Sequence, residues 1–167
     1  LSWTAGDNGG AAVTDYKVEY SSDAGVTWTT FDDGTSATAS ATATGLTNGT
    51  AYVFRVSAVN AAGTGVASAN SASVTPYTTP GASTSVVASP ENSGAVVSWT
   101  APDSGGSTIT GYKVTAEPGG ATCQTTDSTS CTVGGLTNGT AYTFSVVATN
   151  AAGDGVGSAE PSATPYT

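Results

Sequence analysis

The sequence predicts an all-β protein that consists of two antiparallel β-sandwiches in tandem. A sequence repeat, side-chain alternation with a period of two, and turn-forming residues between the alternating runs predict it. The block LSWTAGDNGGAAVTDYKV at 1–18 recurs as VSWTAPDSGGSTITGYKV at 97–114, and the block at 46–68 recurs at 136–158. Because such a repeat marks a module, the 167 residues are divided into two small domains.

The alternation is that of strands with one buried face. Tyr16, Val18 and Tyr20 alternate with charged residues, and the run from Tyr52 to Val59 alternates with the same period. Clusters of Gly, Asn, Asp and Ser separate these runs, and such residues tolerate the positive φ angles that tight turns need. Short strands with frequent turns are typical of a sandwich rather than of a helical or mixed fold.

The domain limits follow from the repeat and from two prolines. We assign one module to residues 1–77, a short Pro-flanked linker to 78–81 and a second module to 82–167. The second module has a predicted opening strand at 82–89, whereas only two residues precede Trp3 in the first. The first module is therefore predicted to lack its opening strand. Truncation of a longer array is favoured, and strand addition from a neighbouring molecule is the alternative.

Composition excludes several functions. The net charge is −9, and the only cations are Lys17, Arg55 and Lys113. Three scattered cations cannot form the basic surface that nucleic acids or anionic membranes require, so neither is an expected partner. There is also no apolar run of the length that spans a bilayer.

Catalytic and metal-binding patterns are weak. The chain has no histidine, which excludes Ser-His-Asp and Cys-His arrangements, and most of its aspartates lie in turn-like segments. Asp32 and Asp33 are the best candidates for a calcium ion, but they lack EF-hand spacing. We therefore expect no enzyme activity, no metal and no cofactor in this chain.

Cys123 and Cys131 occur only in the second module. Their close spacing without a histidine or a second cysteine pair argues against zinc and favours a hairpin disulfide over free thiols. Cys131 aligns with Ala41 of the first module, on the face predicted to point inward. A disulfide indicates an oxidising, extracellular location.

The segment Ser21, Asp23, Gly25, Thr27 and Trp28 matches the pattern S-x-D-x-G-x-T-W. This pattern resembles the Asp box of sialidase-like propellers, which would imply a glycosidase blade. It occurs once, inside a sandwich repeat, so we interpret it as a structural hairpin that an Asp side chain and a Gly turn stabilise.

The ordered elements W-T-A, Y-K-V and L-T-N-G-T-x-Y-x-F-x-V occur in both copies. They resemble tandem fibronectin type III modules of a bacterial secreted or cell-surface protein. The resemblance implies two seven-stranded antiparallel immunoglobulin-like β-sandwiches, and tyrosine corners at Leu46 with Tyr52 and at Leu136 with Tyr142.

This resemblance implies a non-catalytic spacer in an extracellular bacterial multidomain protein. The expected partners are flanking modules of the same polypeptide or neighbouring copies, with a polysaccharide or cell-wall surface as a further candidate. Two alternatives are an adhesive or fibre-forming surface subunit and an accessory module of a secreted polysaccharide-degrading enzyme. An exposed row of aromatic side chains on one sheet would favour the enzyme module, because sugars stack on aromatic faces.

Overall fold

The computed structural model describes all residues from 1 to 167. They form two compact units, Leu1–Pro76 and Tyr77–Thr167. Strands, turns and loops account for both units, and the predicted all-β class is confirmed. No helix is present that is long and apolar enough to cross a membrane.

The first unit has one four-stranded antiparallel sheet. Its strands are β1 (Asp15–Ser21), β2 (Thr29–Phe31), β3 (Val53–Asn60) and β4 (Gly63–Thr64). Their order across the sheet is β2-β1-β3-β4. The long pair β1 and β3 runs in a register that places Val18 opposite Val56 and Tyr20 opposite Phe54. The residues predicted to face inward therefore meet across the sheet.

The second layer of the first unit is small. Ser2 pairs with Ser40 in an isolated bridge, and the Trp3 amide donates to the Ala39 carbonyl at 3.1 Å. The first strand of this unit is β1, which begins at Asp15. One face of the first sheet is therefore covered by only two short segments.

The second unit has both layers. Its strands are β5 (Thr84–Glu91), β6 (Gly94–Thr100), β7 (Gly111–Glu117), β8 (Ala121–Thr125), β9 (Ser130–Gly134), β10 (Tyr142–Asn150), β11 (Gly153–Asp154) and β12 (Ser162–Ala163). One sheet has the order β5-β6-β9, and the other has the order β11-β10-β7-β8, with β12 also on β10. Because β11 and β12 are two pieces of one edge strand, the sandwich has the predicted seven-stranded plan. The opening strand begins two residues later than position 82.

Each unit has its own core. In the second unit Phe144, Val97, Val114 and Val146 are fully buried between the two sheets. In the first unit the buried cluster contains Val18, Tyr52 and Phe54, with partly buried side chains around it. The first core is smaller because its second layer covers less of the sheet.

Residues 78–81, assigned to a linker from the sequence, lie in the second unit. The Thr78 amide donates to the Gly105 carbonyl at 2.8 Å, and the Gly81 amide donates to the Asp103 carbonyl at 2.9 Å. Pro80 between them is fully buried. This segment is thus part of the second sandwich as well as the join between the modules.

Candidate functional site

The turn between β1 and β2 contains the Asp-box residues. The Asp23 carboxylate accepts hydrogen bonds from the Thr27 amide at 2.8 Å, from the Thr27 hydroxyl at 2.6 Å and from the Ser21 hydroxyl at 2.6 Å. The Ser21 oxygen in turn accepts the Gly25 amide at 2.8 Å. The Trp28 indole N–H donates to the Gly25 carbonyl at 3.0 Å and closes the turn. These five residues form one local network.

Gly25 cannot be replaced without strain. Its φ is +94°, a conformation that residues with a Cβ rarely adopt. A Cβ at this position would also lie 2.7 Å from the Asn70 side-chain nitrogen and 3.3 Å from the Trp28 ring. The turn chemistry therefore accounts for the sequence pattern without a bound substrate, which supports the structural interpretation.

We expect the Asp23 carboxyl to titrate at a low pH. The Ser21 hydroxyl, and then the Thr27 hydroxyl and amide, lower the pKa of Asp23 from 3.8 to about 2. Because the folded pKa is depressed, the stabilisation of the hairpin is present above pH 3.8 and is lost as the pH falls from 3.8 towards 2. An NMR titration of the Asp23 carboxyl carbon measures this directly.

Matched variants test the cause of this shift. Ser21→Ala and Thr27→Val each remove one hydroxyl donor and should raise the pKa of Asp23. Thr29→Val lies outside the network and should leave it unchanged. A midpoint at or above 3.8 in the unaltered chain would contradict the assignment of these hydrogen bonds.

A charged cluster adjoins the hairpin. The Glu19 carboxylate is buried and lies 2.7 Å from Lys17 Nζ through one oxygen and 2.7 Å from Arg55 Nε through the other. Arg55, and then Lys17, lower the pKa of Glu19 through these hydrogen bonds. The Arg55 guanidinium also lies 4.2 Å from the Trp28 ring centroid, a cation–π contact. Two of the three cations of the chain are thus paired with one carboxylate.

Sequence reasoning missed this cluster. The strand period places Glu19 on the face of β1 opposite Tyr16, Val18 and Tyr20. Its partner Arg55 lies 36 residues away, and only the register that sets Glu19 opposite Arg55 joins them. The sequence offered one indication of this ion pair: an acidic and a basic residue lie on two predicted strands, which pair in the structure.

The two tyrosine corners have the same geometry. The Tyr52 hydroxyl oxygen accepts the Thr47 amide at 3.0 Å, and the Tyr142 oxygen accepts the Thr137 amide at 3.1 Å. Leu136 is buried, whereas Leu46 is partly exposed. In each unit the ring thus fixes the segment that enters the following long strand, which is a structural role.

The disulfide joins the two sheets and not the arms of a hairpin. Cys123 lies on β8 opposite Val114, and Cys131 lies on β9 opposite Val97. Because β8 and β9 are edge strands of different sheets, the hairpin assignment from the sequence is wrong in that detail. The short spacing arises because the chain crosses from one layer of the sandwich to the other between them.

The acidic side chains mostly stabilise turns. Asp7, Asp32 and Asp103 each accept the amide of the glycine two residues later, at 2.9, 3.1 and 2.7 Å. No group of three or more His, Cys, Asp or Glu side chains lies close enough together to hold a metal ion. The carboxylates considered for calcium or for acid–base chemistry are therefore dispersed.

Exposed aromatic side chains are few. Tyr77 and Tyr166 are more than half exposed, and both follow a proline outside the strands. Trp28 is partly exposed, but Arg55 covers its ring. None of the three sheets therefore presents the row of aromatic faces on which a polysaccharide chain would stack.

A polar groove lies in the second unit. It has a volume of about 610 Å³ and lies beside Tyr112, Lys113, Gln124 and Asp154. Burial raises the pKa of Tyr112, and Asp154 accepts the Thr149 hydroxyl at 2.6 Å.

Comparisons with known proteins agree with this architecture. The sequence pattern of the fibronectin type III domain matches residues 1–74 and 79–164. Chitinase A1 of Niallia circulans is 39% identical over 164 residues, an alignment of 92% of this chain and 22% of that protein. The chain thus spans about a fifth of the length of this curated relative.

A solved structure with the same fold is that of the FN1–FN3 domains of chicken CNTN1. It matches 99% of this chain and 61% of its own length, with a TM-score of 0.51 and 20% identity. The modules that the sequence pattern matches are non-catalytic, and together they account for nearly the whole chain. The chain belongs to the fibronectin type III family, of which it contains two modules in tandem.

Proposed function

We propose that the two modules are non-catalytic accessory modules of a secreted polysaccharide-degrading enzyme. The observation that carries this proposal is the 39% identity to chitinase A1, which extends over both modules and the join. Chitin is accordingly the first candidate for the polysaccharide. The disulfide between Cys123 and Cys131 supports a location outside the cell, because such bonds persist in oxidising compartments.

Within such an enzyme, the surface of the two modules best supports a role in positioning the catalytic domain. None of the three sheets offers an aromatic platform, and two of the three cations are paired with Glu19. Two sandwiches joined by a segment at 78–81 would instead set the distance between a catalytic domain and other parts of the polypeptide. We keep 1–77 and 82–167 as the limits of these two spacers.

Deletion of residues 1–167 from the enzyme that contains them tests this role. We expect activity on insoluble chitin to fall several-fold, because the catalytic domain no longer reaches the surface. Activity on soluble chito-oligosaccharides should be unchanged, since the chemistry lies elsewhere. An equal loss on both substrates, or no loss on either, would overturn the proposal.

Two controls separate positioning from binding. A Gly/Ser linker in place of the modules should restore only part of the activity on insoluble chitin, because a flexible chain does not fix a distance. The isolated chain of residues 1–167 should not sediment with chitin. Cosedimentation would favour a binding module in place of a spacer.

A further inference from the structure

The loop at 7–10 of the first unit surrounds an asparagine with reactive geometry. The Asp7 carboxylate accepts the Gly9 amide at 2.9 Å, and the Asn8 side-chain oxygen accepts the Gly10 amide at 2.9 Å. Gly9 and Gly10 have φ angles of +65° and +84°, which glycine adopts without strain. The loop thus consists of two overlapping turns in which a side chain bonds the backbone two residues later.

An asparagine that precedes a glycine can react with its own main chain. The Gly9 nitrogen attacks Cγ of Asn8, a bond forms between these two atoms, and the bond from Cγ to the side-chain nitrogen breaks. The products are ammonia and a five-membered succinimide ring. Because Gly9 has no side chain, nothing on that residue obstructs the approach of its nitrogen.

Two neighbouring groups assist this reaction. The Asp7 carboxylate lies within hydrogen-bond reach of the attacking nitrogen, so it can accept the proton that the nitrogen loses. The Gly10 N–H is directed at the Asn8 oxygen, on which negative charge develops as the new bond forms. The proton on Asp7 then passes to the departing nitrogen, which leaves as ammonia. Base and oxyanion donor therefore act on opposite ends of the same step.

Two further Asn-Gly pairs, at 48–49 and 138–139, lack this arrangement. In both, the glycine amide donates to a main-chain carbonyl, that of Pro76 in the first unit and that of Pro165 in the second, each at 2.9 Å. A peptide carbonyl is neutral and takes up no proton in neutral water. These two glycine nitrogens are therefore held without a base.

The second unit has the same loop without the asparagine. Asp103 accepts the Gly105 amide at 2.7 Å, as Asp7 accepts that of Gly9. Ser104 stands in the place of Asn8, and a serine hydroxyl offers no carboxamide carbon to attack. The contact between carboxylate and amide is thus a feature of this loop in both modules, whereas only the first module carries the reactive side chain.

We propose that Asn8 is a modification site, at which the folded first module converts its own asparagine into an aspartyl or isoaspartyl residue. Water completes the reaction by opening the succinimide. Attack of water at Cγ gives the aspartyl product, and attack at the former main-chain carbonyl gives the isoaspartyl product. The overall change is the loss of ammonia and the gain of water, so no oxidant or reductant is needed. This inference does not depend on the proposed accessory role.

The modification alters a long-range contact of the loop. The main-chain carbonyl of Asn8 accepts the side-chain amide of Asn60, the last residue of β3, at 2.8 Å. In the isoaspartyl product the chain runs through Cγ, and this carbonyl becomes part of a free carboxylate. A new negative charge therefore lies beside Asn60, and the spacing of the loop from β3 changes. The reaction marks the age of the module at one defined position.

Incubation of the unaltered chain at neutral pH tests the proposal. Peptide mass spectrometry should show that Asn8 converts at least about tenfold faster than Asn48 and Asn138, which is the range expected of a positioned base. In concentrated urea the three rates should become similar, because only the shared Asn-Gly sequence remains. In the folded chain the NMR signals of the Asn60 side-chain amide should change in step with the conversion.

Two variants assign the role of each group. Asp7→Asn keeps an oxygen that can accept the Gly9 amide but takes up no proton, so conversion at Asn8 should slow at least about fivefold. The rates at Asn48 and Asn138 should not change. Asn8→Ser, which introduces the residue of the second unit, should abolish both the conversion and the change at Asn60.

Three results would overturn the proposal. Asn8 could convert no faster than the other two asparagines in the folded chain, its advantage could persist undiminished in urea, or Asp7→Asn could react as fast as the unaltered chain. The comparison of folded and unfolded chain uses no variant, so it decides the matter even where a substitution disturbs the loop.

Discussion

We expect Phe144→Ala to destabilise the second unit by about 3–5 kcal/mol. Phe144 is the largest fully buried side chain and lies near the start of β10, in the core cluster of the second unit. The substitution removes the apolar contacts of the ring and leaves a cavity that the surrounding strands fill only in part. Since domains of this size are stable by about 5–15 kcal/mol, the loss is a large share of the total.

Calorimetry of the full chain measures this effect, because the second unit should unfold in a transition of its own. Phe144→Leu keeps most of the volume and should cost clearly less than the alanine variant. Val156→Ala, at a side chain that is 64% exposed, should have little effect. A loss below about 1 kcal/mol for Phe144→Ala would contradict a tightly packed core at this position.

The double variant Cys123→Ala, Cys131→Ala should lower the unfolding free energy of the second unit by about 2–3 kcal/mol. The disulfide closes a loop with a sequence separation of 8, which restricts the unfolded chain. It also ties the edge strands β8 and β9 together at the open side of the sandwich, where no hydrogen bonds join the two sheets. Urea unfolding of the oxidised chain and of the double variant measures the difference.

Reduction provides the matched control for this prediction. The unaltered chain in excess reductant should lose nearly as much stability as the double variant, since both lack the covalent link. The transition of the first unit, which has no cysteine, should stay unchanged under both conditions. A change below about 0.5 kcal/mol, or an equal change in both units, would contradict a stabilising role for the disulfide.

Much of the architecture could be predicted because it depends on residues that lie close together in the sequence. The period of two in the runs around Tyr16, Tyr52 and Tyr142 determines which side chains face inward, and the structure buries those three rings. The Asp-box turn is similarly local, since its five residues contact each other within eight positions of the chain. Because the alternation occurs in both copies of the repeat, it predicts two sandwiches.

The tertiary structure alone decided which distant residues meet. Glu19 and Arg55 form an ion pair only because β1 and β3 adopt one register, and a shift of one strand by one residue would place the two side chains on opposite faces of the sheet. The disulfide joins two sheets because the layers of the sandwich approach each other at their edges. The contacts of Thr78–Gly81 with the loops around Gly105 and Gly155 likewise form only after folding, because these loops are far apart in the sequence. Side-chain alternation depends on residues that are adjacent in the chain, whereas the contacts between distant side chains depend on packing between segments far apart in sequence. The sequence by itself therefore determined the two modules, and the tertiary structure determined the long-range contacts within each of them.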